Sequence, residues 1–455
     1  MKKFILLVLA IPVLSVAQQN DDSIFIKKIS DEILTNGQAY NQLYDLTKNI
    51  GGRLAGSPQF AKAIQWGKKI MEQSGADNVF LQQCMVPHWV RGKGDKVAIT
   101  SINNNPVNIE LNATALGNSL GSGKPVAAKV IAVKNFDELE KRKDEIKGKI
   151  VFYNYPFNPT YIVPGKAYGE SGVYRATGAS RAAKYGAVGV VIRSLTESTD
   201  NNPHTGAMRY DTAFPIIPAA ALGLNDADKL WNECANGSVT LSILMHGKML
   251  PDEIGYNVIA ELKGTEFANE YITVGGHLDS WDINEGASDD GTGVVQTIEV
   301  MRALKTLGYK PKHTLRFVLF ANEENGTRGG IKYAEEANAK NEKHIFALET
   351  DEGGFTPRGF SFTVLPEQFK KLQTWQPLLK DYLASEFITG GGGTDISPLR
   401  RILQTPVGSL TPDNQRYFDV HHSAGDVFEK VNKRELLIGA VDIAGLIYLI
   451  DKYGL

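Results

Sequence analysis

The sequence predicts an α/β protein built on a mostly parallel, mixed sheet with helices on both faces. From residue 254 onward, short apolar strands alternate with longer amphipathic helices, a pattern that favours such a sheet. Strands are predicted at 271–275, 314–321 and 345–349, where apolar residues predominate. Apolar residues at helical spacing predict a helix over 292–307, and the nearly continuous apolar segment 435–451 predicts a helix buried against the sheet.

A second, smaller α/β unit is predicted inside the chain. The segment GKIVFYNYPF indicates a strand, and RAAKYGAVGVVIRS indicates a short helix that turns at Gly186 into a buried strand over 188–192. The flanking segments near 105–125 and 245–255 differ from the rest of the chain in their residue pattern. The first is rich in Asn, Gly and Ser, as loops are. We therefore predict three parts: residues 18–110 as the first part of the main domain, 111–250 as the inserted domain and 251–455 as the rest of the main domain.

The amino-terminal segment has the pattern of a secretory signal peptide. Two lysines precede an apolar run over 4–14, and Ser15-Val16-Ala17 supplies the small residues of a cleavage site. The run is shorter than the roughly 20 residues that cross a bilayer, so we predict no membrane anchor. The signal peptide is placed at residues 1–17, and the mature protein is expected to be secreted or periplasmic.

The charge balance and the cysteine count exclude some classes of function. Lys and Arg number 49 and Asp and Glu number 51, which gives a net charge of −2. No basic block tracks a phosphate backbone, so nucleic acid is not an expected partner. The two cysteines, Cys84 and Cys234, either join in a disulfide or remain buried thiols, and the sequence leaves both alternatives open.

Acids or a histidine directly follow each of the three predicted strands. His277 and Asp279 follow the first, Glu323 and Glu324 the second, and Asp351 the third. In open α/β sheets, sites lie outside the carboxyl ends of the strands, so these side chains should meet in one crevice. A single acid is more often a cap or a solvated charge, but three sets at successive strand ends favour a functional site.

Histidine nitrogens together with several carboxylate oxygens form a set of ligands that suits zinc, with cobalt or manganese as substitutes. The segment GASDDGTG adds Asp289 and Asp290 just before the predicted helix, where they either cap the helix or bind metal. A carboxylate can bridge two metals about 3.5–4 Å apart. Glu323 and Glu324 are adjacent at a strand end, so one can bind metal while the other transfers protons.

Seven short motifs give a specific resemblance that covers nearly the whole mature chain. They are GGRLAGSP at 51–58, GGHLDSW at 275–281, GASDDGTG at 286–293, NEENGTRGG at 322–330, ETDEGG at 349–354, GGTDISP at 392–398 and HHSAGD at 421–426. In this order they resemble the secreted di-zinc aminopeptidase and carboxypeptidase family, and within it the plasma glutamate carboxypeptidase (carboxypeptidase Q) branch.

The resemblance implies a role for each candidate residue. It makes His277 and Asp351 ligands of a first Zn²⁺, Glu324 and His422 ligands of a second Zn²⁺, Asp289 the carboxylate that bridges both, Glu323 the general base and Asp279 the residue that orients His277. It also implies a cis peptide between Asp289 and Asp290.

Two further residues keep open roles under the resemblance. His422 is preferred to His421 because the family places an acid four residues after the ligand, and Asp426 stands there. His421 occupies the place of a tyrosine that helps stabilise the oxyanion in many relatives, and either takes that role or supports the ligands. Asp395 either receives a free α-amino group or is an ordinary loop residue.

The fold and function that the resemblance implies are those of a zinc exopeptidase, a phosphorylase/hydrolase-like fold with an inserted protease-associated domain. Such an enzyme would be an exported di-zinc metallo-exopeptidase that hydrolyses short peptides or dipeptides by a metal-bound hydroxide. The resemblance also suggests a homodimer. One alternative is a single-zinc enzyme like glutaminyl cyclase. Another is a non-catalytic binding protein on the same scaffold, but the complete set of ligands and base favours catalysis.

Overall fold

The computed structural model describes the backbone of residues 10–455 and the side chains of residues 21–455. The predicted signal peptide, residues 1–17, lies outside the residues whose side chains are described. Over the described range, no helix combines the length and the apolar character needed to cross a bilayer.

The elements, in chain order, are as follows. The helices are α1 (Ala10–Asn36), α2 (Ala39–Tyr44), α3 (Pro58–Gln73), α4 (Phe136–Lys141), α5 (Pro164–Ala183), α6 (Leu224–Asn236), α7 (Thr292–Thr306), α8 (Arg328–Ala339), α9 (Pro366–Leu379), α10 (Ser397–Leu403), α11 (Tyr417–Val420) and α12 (Lys433–Tyr453). The strands are β1 (Asn78–Val90), β2 (Lys96–Ile102), β3 (Asn105–Leu111), β4 (Ala113–Ala115), β5 (Val126–Val133), β6 (Ile150–Tyr153), β7 (Gly189–Arg193), β8 (Ala219–Leu222), β9 (Val239–Leu244), β10 (Lys248–Leu262), β11 (Phe267–His277), β12 (His313–Phe320), β13 (Lys343–Glu349), β14 (Pro357–Thr363), β15 (Glu386–Thr389) and β16 (Val407–Pro412).

The larger sheet is mixed, with a parallel centre, which confirms the predicted fold class. Its strand order is β1-β10-β12-β11-β13-β16-β14-β15. Strands β12, β11, β13 and β16 run parallel to one another, whereas β1 and β10 form an antiparallel ribbon at one edge. The carboxyl ends of β11, β12 and β13 therefore lie together at one end of the sheet, where open α/β folds place their sites.

Helices cover both faces of this sheet, and β12 shows why its sequence is almost continuously apolar. Leu315, Phe317 and Leu319 belong to the cluster that includes α7 and α12, whereas Val318 and Phe320 pack in the cluster that includes α8 and α10. Successive side chains of a strand point to opposite faces, so a strand buried on both faces needs apolar residues at nearly every position. The predicted strands and the two predicted helices are all present, within a few residues of their expected ends.

The smaller sheet has the order β3-β2-β9-β5-β6-β7-β8-β4, with β5 to β8 parallel. Strand β6 lies in the segment predicted as a strand, and Gly186 turns the chain into β7 at a φ of +81°. The helix before that turn is longer than the sequence indicated, since α5 begins at Pro164.

The smaller sheet begins earlier in the chain than the predicted inserted domain. Strands β2 and β3 pair with each other within it, and Asn103 and Asn104 form their turn at φ values of +52° and +65°. Asparagine tolerates this left-handed backbone, so an Asn-rich segment that was interpreted as a boundary loop is a hairpin. The sheets divide the chain at 91–95 and 245–247, compared with the predicted borders at 110/111 and 250/251.

Both cysteines are free thiols, so of the two alternatives the disulfide is not formed. Cys84 lies in β1 of the larger sheet and Cys234 in α6 beside the smaller one. Burial raises the pKa of each thiol to about 12, which keeps both protonated.

Asp442 is a buried acid without a hydrogen-bond partner in the described part of the chain. It lies on α12, and burial raises its pKa well above the ordinary value. The folded state therefore binds the proton of Asp442 more tightly than the unfolded state does. Because the buried carboxyl resists ionisation, the folded state loses stability relative to the unfolded state as the pH rises from about 4 toward the folded-state pKa. We expect Asp442→Asn to increase the free energy of unfolding at pH 8 by roughly 1–3 kcal/mol, and by less at pH 5, in urea titrations.

Asp451 provides the matched control on the same helix. It is also fully buried, but it accepts hydrogen bonds from the Tyr309 hydroxyl and from the backbone N–H groups of Lys312 and His313. Asp451→Asn should decrease stability at both pH values because an amide presents one acceptor oxygen in place of two. A decrease in stability for Asp442→Asn at pH 8 would contradict the first expectation.

Candidate metal centre

Two acids and a histidine form the first group of possible ligands at the carboxyl end of the larger sheet. His277 is the last residue of β11, and its Nε2 lies 3.1 Å from Asp289 Oδ1 and 3.2 Å from Asp351 Oδ1. Asp289 lies in the single turn before α7, and Asp351 follows β13. Residues separated by more than 70 positions thus meet because their strands are neighbours.

A second group shares Asp289 with the first. His422 Nε2 lies 3.2 Å from Asp289 Oδ2 and 3.2 Å from Glu324 Oε2. Each carboxylate oxygen of Asp289 therefore faces a different histidine. Of the sequence-predicted site residues, Asp289, Glu323, Glu324, Asp351 and His422 line this crevice. His277 and Asp279 do not line it but contact residues that do.

Asp279 occupies the expected place but makes different contacts from those expected. The carbonyl oxygen of Asp279, at 3.0 Å, accepts the hydrogen bond from His277 Nδ1, while its carboxylate is 3.8 Å from that nitrogen. The carboxylate instead accepts the backbone N–H groups of Glu323 and Glu324, at 3.0 and 3.3 Å. The main chain thus sets the tautomer of His277, and the side chain of Asp279 holds the glutamate pair in place.

The peptide between Asp289 and Asp290 is cis, as the resemblance implied. Asp290 accepts the backbone N–H of His277 at 3.0 Å and that of Gly293 at 2.9 Å, one on each oxygen. A Cβ at Gly276 would lie 2.4 Å from Asp290 Oδ2, so the second glycine of GGH is needed for this close approach. Although Asp290 also lies near His277 and Asp351, its oxygens are already occupied, and its role is structural.

His421 and His422 stack on each other, with ring centroids 3.6 Å apart. His421 Nε2 lies 3.4 Å from Asp289 Oδ2, so it adjoins the second group, but in the described ion pairs only His422 also contacts Glu324. Asp426, which guided the choice of His422, accepts the backbone N–H groups of Ser288 and Asp289 rather than contacting that ring. The spacing therefore reflects support of the main chain at Asp289.

The adjacent glutamates differ in what they contact. The carboxylate of Glu324 is buried against His422, whereas that of Glu323 makes no hydrogen bond or ion pair with a described residue and lines the crevice. Burial, with the charge of Asp289, raises the pKa of Glu324 to about 8. Glu323 is therefore free to act on a molecule in the crevice.

Arg53 is a fully buried cation to which the sequence reasoning gave no role. Its guanidinium donates to the carbonyl oxygens of Leu278, Glu285 and Gly286, at 2.6 to 2.9 Å. These oxygens lie at the beginning and near the end of the loop between β11 and Asp289, so Arg53 stabilises the loop at both ends. Its position in the GGRLAGSP motif was the available signal, but contacts to main-chain oxygens leave no pattern in a sequence.

The crevice continues into a cavity of about 490 Å³ between the two sheets. Its lining combines acids with arginines from the unit that carries the smaller sheet: Asp289, Glu323, Glu324 and Asp351 with Arg175 and Arg209. Thr394 lines the cavity, but its neighbour Asp395 does not and is fully buried. The position of Asp395 therefore gives no support to its receiving a substrate's amino group.

Protonation within the two groups is strongly coupled. Burial by itself would raise the pKa of Asp289, but hydrogen bonds from His277 and His422 hold it well below its ordinary value. Burial would lower the pKa of each imidazole, but the neighbouring carboxylates raise both well above the ordinary value. Burial also raises the pKa of Asp351 to about 6. The protons held here are those that a divalent cation displaces on binding.

The donor atoms fit zinc. Around a tetrahedral zinc ion with bonds of about 2.0–2.1 Å, neighbouring ligand atoms lie about 3.3 Å apart. The nitrogen-to-oxygen separations in both groups, 3.1 to 3.2 Å, are close to that value. Glu324 Oε1 is buried without a hydrogen-bond partner in the described chain, and Asp289 Oδ2 is buried against imidazole nitrogens, as expected for atoms that bind an ion.

Comparison with known proteins places the chain in a family. The model of peptidase family M28 matches residues 257–440. Carboxypeptidase Q of Mus musculus is 34% identical over 415 residues, covering 91% of this chain and 85% of the relative. The solved structure of a peptidase M28 precursor from Shewanella amazonensis SB2B superposes with a TM-score of 0.90 at 32% identity, covering 95% of this chain and 97% of that one.

A more distant structure shows how far the fold extends. The zinc aminopeptidase BSAP of Bacillus subtilis has a TM-score of 0.64 at 18% identity and covers 90% of this chain and 94% of that one, a likeness of fold alone. Likeness along nine-tenths of the chain leads to one assignment: the protein belongs to peptidase family M28.

Proposed function

We propose that the chain is an exported exopeptidase that hydrolyses short peptides or dipeptides at a centre of two zinc ions. His277, Asp289 and Asp351 would hold one ion, and Asp289, Glu324 and His422 the other. The observation that carries this proposal is the division of Asp289, whose two oxygens each face a different histidine within 3.2 Å. A carboxylate shared in this way suits a bridge between two metals.

Zinc bound at these groups would lower the pKa of a water molecule and polarise the carbonyl of the peptide bond. Glu323 would accept the proton of the attacking water and deliver it to the leaving amine. Its carboxylate is the one acid of the adjacent pair that is not engaged by a histidine. Asp279 would keep Glu323 in place through the 3.0 Å hydrogen bond to its backbone N–H.

The cavity suits a small dipolar substrate. Both acids and arginines line it, and its volume of about 490 Å³ has room for a few residues. Arg209 lines the cavity from the smaller sheet, and its guanidinium has no ion-pair partner in the described part of the chain. We propose that Arg209 receives the free carboxylate of the substrate, in keeping with the name of the carboxypeptidase Q relatives.

The smaller sheet would act as the protease-associated domain of this enzyme. It contributes Arg175 and Arg209 to the cavity, and its loop donates the backbone N–H of Thr205 to the carbonyl of His422 at 2.8 Å. A unit in this position restricts the cavity to short substrates and excludes folded proteins.

Substitution of the two adjacent glutamates tests the assignment of base and ligand. Wild-type protein should contain about two zinc ions per chain by elemental analysis. Glu323→Gln should keep both ions and lose about 100-fold or more of kcat, because only the base is removed. Glu324→Gln should lose the second ion as well as activity, since it removes a ligand.

The same measurements can contradict the proposal. Full turnover by Glu323→Gln would exclude Glu323 as the base. A single ion in the wild-type protein would favour the single-zinc alternative. An ion content that falls equally in both variants would contradict the assignment of Glu323 as base and Glu324 as ligand.

A panel of dipeptides tests the substrate class. Peptides with a free carboxyl end should be hydrolysed, and amidation of that end should decrease kcat/KM by about tenfold or more, because a charge-assisted hydrogen bond is lost. Arg209→Ala should remove most of this discrimination. Arg181→Ala is the control, because Arg181 stacks over Phe136, 4.1 Å from the ring centroid, and does not line the cavity. Equal rates for free and amidated peptides would contradict the assignment of Arg209.

Export is proposed from the amino-terminal pattern of a short apolar run after two lysines. Expression of the full chain in a Gram-negative host should release a processed protein into the periplasm. Amino-terminal sequencing of that protein should begin near Gln18. Retention of Met1 on the active protein would contradict export by this route.

A further inference from the structure

The two histidines of the centre differ in what their second ring nitrogen contacts. Nδ1 of His277 lies 3.0 Å from the carbonyl oxygen of Asp279, which can only accept a hydrogen bond. Nδ1 of His277 therefore carries a proton, and Nε2, which faces Asp289 and Asp351, is the nitrogen left to bind a metal. This is the arrangement that histidine ligands of metals usually adopt.

His422 has the opposite surroundings. Its Nδ1 lies 3.4 Å from Nη1 of Arg175, and a guanidinium can only donate hydrogen bonds. If a neutral His422 accepted a hydrogen bond from Arg175, its proton would lie on Nε2, the nitrogen that faces Asp289 and Glu324. That tautomer has no lone pair for a metal. With the proton moved to Nδ1, the ring would point an N–H group at a cation.

Arg175 is held in this position from the smaller sheet. It lies on α5, its Nη2 donates to the hydroxyl of Tyr168 at 2.7 Å, and its guanidinium lies over that ring at 5.0 Å. No carboxylate of the described residues lies within ion-pair distance of it. Gly206 closes the space beside the contact, because a Cβ there would lie 2.5 Å from Arg175 Nη1 and 2.7 Å from His422 Nδ1.

We propose that Arg175 is a positioning residue that weakens the hold of His422 on the second ion. The two ions of the proposed function, on which this inference rests, are then bound unequally. The ion at His277 is the permanent one, because the Asp279 carbonyl stabilises the binding tautomer. The ion at His422 is the exchangeable one, because binding it must overcome the contact with Arg175. The smaller sheet thereby sets how readily the second ion is taken up.

Zinc titration of the metal-depleted full chain tests this inference. Chelator-treated wild type and Arg175→Gln are dialysed against buffers of graded free Zn²⁺, and bound zinc per chain is measured. A glutamine side chain offers an acceptor oxygen to the Nδ1–H of His422, and such partners typically change metal affinity by 10–100-fold. We expect the second binding step of Arg175→Gln to occur at about tenfold lower free zinc, with the first step unchanged.

Two variants serve as controls. Arg175→Lys keeps a group that can only donate hydrogen bonds and should bind the second ion as the wild type does. Arg181→Gln removes a neighbouring arginine of α5 that stacks on Phe136, and should leave both steps in place. Melting temperatures of the metal-depleted variants show whether each one folds.

The outcomes separate this inference from the proposed function. A second step that does not move in Arg175→Gln, or that moves to higher free zinc, overturns the role of Arg175 while leaving the two-ion centre intact. A wild-type chain that takes up no second ion at any concentration overturns both. Equal shifts of the first and second steps overturn the inference as well, because Arg175 contacts only the second group.

Discussion

The arrangement of the crevice depends on the position of one carboxylate, that of Asp289, between two histidines. Asp289 is buried, and its two oxygens lie within 3.2 Å of His277 and His422. A buried anion is stable only when it is hydrogen-bonded and balanced by positive charge. In this chain His277 and His422 meet both requirements, since each faces one oxygen of the carboxylate, while Asp426 holds the main chain of Asp289 by accepting its backbone N–H.

Several features of the larger sheet follow from that position. The parallel centre brings His277, Glu324 and Asp351 to the same end of the sheet. The loop between β11 and α7 places Asp289 beside them. Arg53 keeps that loop closed without neutralising any single acid, because it donates to three carbonyl oxygens. The acids therefore remain available to a metal, and the loop keeps its shape.

The sequence was sufficient for the fold class, because the fold class follows from local patterns, and it also named the candidate site residues that the structure brings close together. Strand β12 is apolar at most positions, and each predicted ligand follows a strand or lies in a compact motif. Contacts between distant segments could not be predicted in the same way. His277 Nδ1 contacts the carbonyl oxygen of Asp279 and not its carboxylate, and the two distances differ by less than 1 Å. The hairpin of β2 and β3 was missed because asparagines serve loops and left-handed turns alike.

The main-chain hydrogen bond from Thr205 to His422 ties the smaller sheet to the turn that carries a proposed ligand. His422 itself has a φ of +60°, a backbone conformation that needs support from its neighbours. Access to the cavity and the geometry of the ligand are therefore coupled mechanically. Any motion that separated the two sheets to admit a larger molecule would also pull on His422, so the opening of the cavity is limited by the integrity of the centre it leads to.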